Sequence, residues 1–304
     1  MHIIVKLIII GIVICLYGEA GRTGSSGGRR PKPLRITFIG DSILRYQYLS
    51  FVYAIHYKTP HPPNFIVREK LFDNWTEFYE NTTYIFGSAM VCDCYREDDY
   101  LNTRENRYYT SPDGTLKITY LQKFGDHTTR GFEIDKAQEN FNTLHSTNYW
   151  EDHLWEDLLL HRIKHTDILI MSAGHHGCDI LLDHIEKVFR RALKVANIVI
   201  WQQITPPRWE ITGSNVNTRD IDVVVRDHIC TTSKRNMRRR EHLSWCTYIP
   251  FPFTSLAPTD YWDGIHFSQT SIYAALSHAA LTMAGVCPSH HSLCDYLQPA
   301  LPAP

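Results

Sequence analysis

The chain has 304 residues, of which 43% are hydrophobic and 21% are charged, a composition typical of a globular protein that closes one substantial core. The formal net charge is -1 at pH 7, so no overall field draws the chain toward nucleic acid or an anionic membrane. The composition therefore predicts one folded domain and no nucleic-acid partner.

The first 20 residues have the pattern of a secretory signal peptide. An apolar stretch, 7–17, follows Lys6 and ends at Gly18-Glu19-Ala20, which offers a small-residue cleavage site. An uncleaved segment would act as a signal anchor, although its apolar core is shorter than the roughly 20 residues of a spanning helix. We therefore expect a secreted or ER/Golgi lumenal protein, with membrane attachment only if the segment is retained. Residues 21–33, rich in Gly, Ser, Arg and Pro, predict a flexible leader.

From Leu34 onward, short apolar runs alternate with amphipathic segments. A buried strand is predicted from Leu34 to Ile39, and helical spacing begins at Ser42. Further strands are predicted over 84–91, 167–171 and 197–202, and helices over 42–57, 150–163, 180–196 and 268–284. This alternation predicts an α/β fold, a three-layer α/β/α sandwich with a mainly parallel sheet, over residues 34–296. Residues 297–304 would form a C-terminal tail.

Two segments depart from this alternation. The turn signal Ser111-Pro112-Asp113-Gly114 lies between two β-prone runs and predicts a hairpin that projects from the sheet. The stretch 205–245 has weak periodicity and is interpreted as an insertion near one end of the sheet.

The cysteines and sequons fit an oxidising, glycosylating compartment. The short separations favour disulfides between Cys230 and Cys246 and between Cys287 and Cys294. A zinc site at Cys92-Asp93-Cys94 is disfavoured, because its spacing is one residue rather than two to four. Asn74 and Asn81 each open an Asn-x-Thr acceptor sequence, so both are glycosylation candidates.

The turn after the first predicted strand contains Gly40-Asp41-Ser42. Ligands bind at the carboxyl ends of parallel strands, and a serine at a helix N-terminus lies among unpaired backbone N–H groups that favour an oxyanion. Ser42 is therefore a candidate nucleophile that also supplies part of an oxyanion hole. The simpler alternative is that Asp41 or Ser42 only caps the helix.

A second cluster precedes the last predicted helix and contains Asp263 and His266. Neutral imidazole can accept the hydroxyl proton of a serine, and a carboxylate on its other nitrogen fixes the tautomer and stabilises the imidazolium. An aspartate three residues before a histidine is common in capping arrangements. Together with Ser42, however, the pair predicts a nucleophile, a general base and its orienting acid.

These two motifs resemble those of the SGNH (GDSL) hydrolase superfamily. Gly40-Asp41-Ser42 with Asp263-x-x-His266 is similar in particular to its PC-esterase branch, which includes the trichome-birefringence-like polysaccharide O-acetyltransferases. Arg45 and Gln47 match the Arg and Gln that this branch carries soon after the serine, and with Asp41 they are candidate supporting residues. The resemblance implies a flavodoxin-like, SGNH-type fold and the catalytic roles of Ser42, His266 and Asp263.

The resemblance also implies an oxyanion hole built from several blocks of the chain. Besides the N–H of Ser42, Gly87 would match a glycine that donates its N–H, and Gly174 and His176 would match the third block. The family pattern has an asparagine near this glycine, where the chain has Ser172 and His176. The side chain that completes the hole is therefore left open.

The predicted roles of Ser42, His266 and Asp263 imply a two-step acyl transfer through a Ser42 acyl-enzyme. The resemblance and the secretory route imply a glycan substrate, with an O-acetyltransferase or an acetylesterase as the enzyme and an unspecified acyl donor. No cofactor is required, and a metal site is disfavoured because the histidine pairs lack an accompanying acidic ligand. The alternative is a catalytically inactive lumenal glycan-binding protein with the same fold.

Overall fold

The computed structural model describes residues 32–59, 62–96, 103–123, 155, 158–159, 163, 165–173, 178–206, 208, 220–233, 244–250, 257–263, 265–283 and 285–287. The predicted signal peptide, most of the leader, the tail and most of the predicted helix 150–163 lie outside these residues.

A seven-stranded sheet forms the centre of the fold. Its strands are β1 (Leu34–Gly40), β2 (Met90–Arg96), β3 (Thr103–Thr110), β4 (Leu116–Gln122), β5 (Thr166–Met171), β6 (Ala196–Gln202) and β7 (Trp245–Ile249). They lie in the order β2-β3-β4-β1-β5-β6-β7. Strand β3 runs opposite to the other six, so the carboxyl ends of those six strands meet at one edge of the sheet.

Helices cover both faces of the sheet. The helices are α1 (Ser42–Tyr57), α2 (Trp75–Tyr84), α3 (Cys178–Val195), α4 (Asp220–Val224), which continues as a π-helix to Cys230, and α5 (Thr270–Met283). One core, which contains Phe38, Phe51 and Tyr273, lies on the face covered by α1 and α5. The other, which contains Leu169 and Trp201, lies on the face covered by α3. The three-layer α/β/α prediction is confirmed.

Local sequence signals set the bounds of α1. The Asp41 carboxylate accepts a hydrogen bond from the Ile43 N–H at 3.0 Å, which satisfies a donor of the first turn. The helix ends at Lys58, whose φ of 53° is left-handed, and the Lys58 N–H bonds to the Ala54 carbonyl. These signals agree with the predicted range 42–57.

Two predictions about the sheet are wrong. The strand expected over 84–91 is instead the end of α2, a 3₁₀ turn at Gly87–Ala89 and the start of β2. The φ of +54° at Gly87 is incompatible with an extended strand. The hairpin around residues 111–114 exists, but it does not project, because β4 pairs with β1 along its whole length.

The disulfides include one that the sequence predicted and one that it did not. Cys230 and Cys246 are bonded as predicted, whereas the bond between Cys92 and Cys94 was missed. Cys287 is also disulfide-bonded, but Cys294 lies outside the described residues, so that pairing stays a prediction. Disulfides of this kind fit a secreted or lumenal protein.

The candidate glycosylation residues lie on α2. Asn74 caps the helix through its side-chain amide oxygen, which accepts from the Glu77 N–H, and the Asn81 side-chain amide donates to the Glu77 backbone carbonyl. Both side chains are exposed, and their glycosylation stays a prediction. No helix in the described ranges combines the length and apolar character needed to span a bilayer.

Candidate active site

Ser42 is held at the carboxyl edge of the sheet by a tight turn. Gly40 ends β1, and a Cβ atom there would lie 2.5 Å from the Ser172 carbonyl oxygen and 2.8 Å from a Leu44 methyl carbon. Only glycine lets the two backbones approach this closely. Ser42 is the first residue of α1 and retains 9% of its surface in contact with solvent. Its hydroxyl is thus placed where ligands bind in sheets of this type.

The loop before α5 presents Asp263 and His266 on one side of the chain. One carboxylate oxygen of Asp263 accepts hydrogen bonds from the N–H groups of Ile265 and His266, each at 2.7 Å. The Trp262 N–H donates to the His266 carbonyl at 3.0 Å and closes the loop. The aspartate therefore organises the backbone as well as the imidazole.

The three predicted side chains form one hydrogen-bonded chain. The Ser42 Oγ lies 2.6 Å from Nε2 of His266, and Nδ1 of His266 lies 2.7 Å from the second carboxylate oxygen of Asp263. Because a carboxylate can only accept, neutral His266 carries its proton on Nδ1 and leaves Nε2 free to accept from Ser42. The arrangement can take a proton from the serine hydroxyl.

The carboxyl group of Asp263 is ionised over the physiological range. Burial by itself would raise its pKa, but the hydrogen bond and charge of His266 and the two backbone N–H bonds outweigh burial and lower the pKa to about 2. A negative charge is thus fixed beside Nδ1, where it would stabilise an imidazolium.

Two aromatic rings enclose the imidazole. Trp262 is stacked on His266 with an interplanar angle of 16° and 5.3 Å between centroids, and Tyr46 contacts the same ring edge-on at 5.3 Å. Sequence reasoning missed Tyr46, although its position four residues after Ser42 places both on one face of α1.

A buried charge network lies behind Tyr46. Arg45, which is 2% exposed, donates to the Tyr46 hydroxyl at 2.7 Å and to Glu105 on β3 at 3.3 Å. Glu105 also accepts from Arg107 at 2.6 Å. Burial would lower the pKa of Arg45, but Glu105 and Glu69 raise it above its ordinary value, so the guanidinium keeps its charge. Arg45, a predicted supporting residue, is thus connected to His266 through Tyr46, whose hydroxyl bonds to Arg45 and whose ring contacts the imidazole.

The other two supporting residues differ in what they do. Asp41 acts as the helix cap. Gln47 is fully buried, and neither of its amide atoms has a hydrogen-bond partner among the described residues. Within the same residues, Gln47 has no contact that links it to the reacting atoms.

Only part of the predicted oxyanion hole is placed near Ser42. The N–H of Ser42 is at the N-terminus of α1, among the groups that a helix leaves unpaired. Gly87 precedes β2, whose amino end is at the opposite edge of the sheet and which is separated from β1 by two strands. Its assignment to the oxyanion hole is therefore wrong. Gly174 and His176 lie outside the described residues.

Within the described ranges, no three His, Cys, Asp or Glu side chains come together as a possible metal site.

Comparisons with models of protein families, with curated proteins and with solved structures found no match in any of the three.

Proposed function

We propose that this chain is a serine-dependent acyl-ester enzyme in which Ser42 is the nucleophile, His266 the general base and Asp263 its orienting acid. The observation that carries the proposal is the pair of short contacts that joins the three residues, at 2.6 Å and 2.7 Å. A helix cap needs neither a second residue 224 positions away nor a partly buried carboxylate bonded to that residue.

In the first step, the Ser42 Oγ attacks the carbonyl carbon of an ester while His266 Nε2 takes the hydroxyl proton. The carbonyl π electrons move to the oxygen, and the N–H of Ser42 is available to bind the resulting oxyanion. The C–O bond to the leaving alcohol then breaks, and the imidazolium returns its proton to the departing oxygen. The acyl group remains on Ser42 as an ester.

In the second step, a hydroxyl group attacks the acyl-enzyme with His266 again acting as base. Water as acceptor gives an esterase, and a carbohydrate hydroxyl gives an O-acyltransferase. The SGNH-like motifs favour an acetyl group and a glycan as substrate. Asp263 stays ionised through both steps and balances the imidazolium charge.

The proposal is tested with purified full-length protein and p-nitrophenyl acetate, by following release of p-nitrophenol. Ser42→Ala should lower the rate by about 10⁴-fold or more. Ser50→Ala is the matched control, because Ser50 is a buried serine two turns further along α1. Equal rates in wild type and Ser42→Ala would contradict the assignment of Ser42 as the nucleophile.

The nature of the acceptor is tested separately. Incubation with an acetyl donor and an oligosaccharide, followed by mass spectrometry, detects acetylated sugar if the protein is a transferase. Release of acetate alone identifies a hydrolase. Oligosaccharide binding without turnover in either assay would support an inactive glycan-binding protein instead.

A further inference from the structure

A short basic segment lies against the loop that carries the triad. It consists of Arg68, Glu69 and Lys70, at the start of a 3₁₀ turn. Arg68 donates to the Ser268 carbonyl at 3.2 Å, and the Lys70 ammonium lies 5.0 Å from the centroid of the Trp262 ring. Since Trp262 is stacked on His266, the ammonium and the imidazole both lie against the same indole.

The carboxylates near this segment contact groups other than Arg68 and Lys70. Asp263 is bonded to His266, and Glu69 lies 3.8 Å from the buried guanidinium of Arg45. Asp260 accepts from the N–H of Ala257 at 2.7 Å. In the part of the chain that the structure describes, no carboxylate forms an ion pair with Arg68 or Lys70. Within the described residues, Arg68 and Lys70 are therefore not ion-paired, and Lys70 lies against the indole that stacks on His266.

Lys70 is the cation that a ligand can reach. Its side chain is exposed, whereas Arg68 is partly buried against the loop. The ring of Trp262 attracts an ammonium without neutralising it, so Lys70 keeps a full charge for an incoming anion. Lysine acts as a point charge on a flexible stem, and it would accept a carboxylate or a sulfate without requiring a fixed geometry.

We propose that Lys70 makes this site selective for acyl esters that carry a negative charge near the ester group, such as acylated sugars with a carboxylate or a sulfate. The inference rests on the proposed function, since it concerns substrates of the Ser42 site. Lys70 is a specificity-determining residue here and takes no part in bond making. Its position against Trp262 sets the distance between the bound anion and the imidazole.

The test compares two esters that differ only in charge. These are 4-acetoxybenzoate, which is anionic at pH 7, and its neutral methyl ester. The quantity measured is the ratio of their kcat/KM values. Wild type should favour the anion, Lys70→Met should lower that ratio about 5-fold, and Lys70→Glu should lower it about 20-fold. Lys70→Arg should keep most of the preference.

Lys117→Glu is the matched control, because Lys117 is an exposed lysine near the amino end of β4, at the opposite edge of the sheet. It should leave the ratio unchanged. In wild type, raising the salt from about 0.05 M to about 0.5 M should shrink the preference, because an exposed charge is screened. This second measurement needs no variant.

The outcomes separate the two proposals. Hydrolysis of both esters with a ratio that neither Lys70→Glu nor salt alters would overturn the role of Lys70 and leave the serine mechanism standing. Absence of turnover of either ester, with wild type and Ser42→Ala alike, would overturn both. 4-Acetoxybenzenesulfonate, tested beside the benzoate, shows whether a sulfate-like anion or a carboxylate is preferred.

Discussion

The Ser42 Oγ and Nε2 of His266 lie 2.6 Å apart, although 224 residues separate them in the chain. The contact forms because β1 delivers Ser42 to the carboxyl edge of the sheet and the loop before α5 returns to the same edge. The surrounding structure holds each partner independently, through the Gly40 turn on one side and the bonds of Asp263 on the other. Substitutions at Gly40 and at Asp263 can therefore test the two supports separately.

Asp263→Asn should reduce activity and also change how stability depends on pH. The pKa of Asp263 falls from 3.8 to about 2 on folding, so the ionised carboxylate stabilises the native state above pH 4. That stability is lost as the pH falls through about 2. Wild type should therefore gain about 1 kcal/mol over the variant between pH 2 and pH 4, after allowance for partial exposure. Urea titrations at several pH values measure the difference, and parallel curves would contradict it.

Asp263→Asn should also lower kcat by about 10³- to 10⁴-fold, because an amide at Nδ1 no longer fixes the tautomer or balances the imidazolium. Esterase assays at pH 7 measure this loss. A variant with near-wild-type kcat would show that the carboxylate only shapes the loop.

Gly40→Ala should destabilise the protein and displace the nucleophile. The new methyl group would meet the Ser172 carbonyl oxygen at 2.5 Å, and backbone cannot move aside as a flexible side chain can. We expect a loss of about 1 to 3 kcal/mol in the free energy of unfolding. Gly114→Ala is a useful comparison, because a Cβ atom there meets nothing within 4 Å and the cost comes only from its positive φ. A Gly40→Ala protein with unchanged activity would contradict the account of this turn.

Arg45→Met should be strongly destabilising, because it leaves Glu105 buried with one cationic partner instead of two. The expected cost is about 3 to 5 kcal/mol. Arg226→Met is the control, since the Arg226–Asp227 pair is almost half exposed and solvent screens it, so its loss should cost much less stability. Urea unfolding followed by circular dichroism compares the two. Similar costs for both variants would show that the buried network contributes no more than a surface pair.

The two described disulfides close loops of different length. Cys230 and Cys246 are 16 residues apart, and Cys92 and Cys94 are two apart. The chain-entropy treatment gives about 3 kcal/mol for the longer loop and about 1.6 kcal/mol for the shorter one. Replacing each pair by serines should therefore cost more stability at 230 and 246. The reverse order in thermal unfolding would argue that the shorter bridge stabilises the protein by another route.

Local sequence signals were enough to predict β1, α1, the parallel strands β5 and β6, and the separate motifs around Ser42 and His266. Each depends on hydrophobic spacing or capping within one segment. Gly87 was misplaced, because the resemblance assigned it from its place near the second predicted strand. In the structure it precedes β2, whereas the neighbours of β1 are β4 and β5, which long-range pairing sets rather than local spacing.

The contacts that sequence reasoning missed have the same physical origin. Glu105 meets Arg45 only because the β3–β4 hairpin joins the sheet, and Trp262 meets His266 only because their loop folds back on itself. Arg45 could be singled out only by its resemblance to a family pattern, without an indication of its partners. Contacts across strands and loops depend on register, which a single sequence specifies weakly.

The most direct test of the central claim is covalent labelling by a fluorophosphonate, followed by intact mass and peptide mapping. If His266 activates Ser42, wild type should be labelled at Ser42, and His266→Ala should slow labelling by about 100-fold or more while the thermal unfolding midpoint stays close to that of wild type. Labelling of His266→Ala at the wild-type rate, or modification of a different serine in wild type, would contradict the claim.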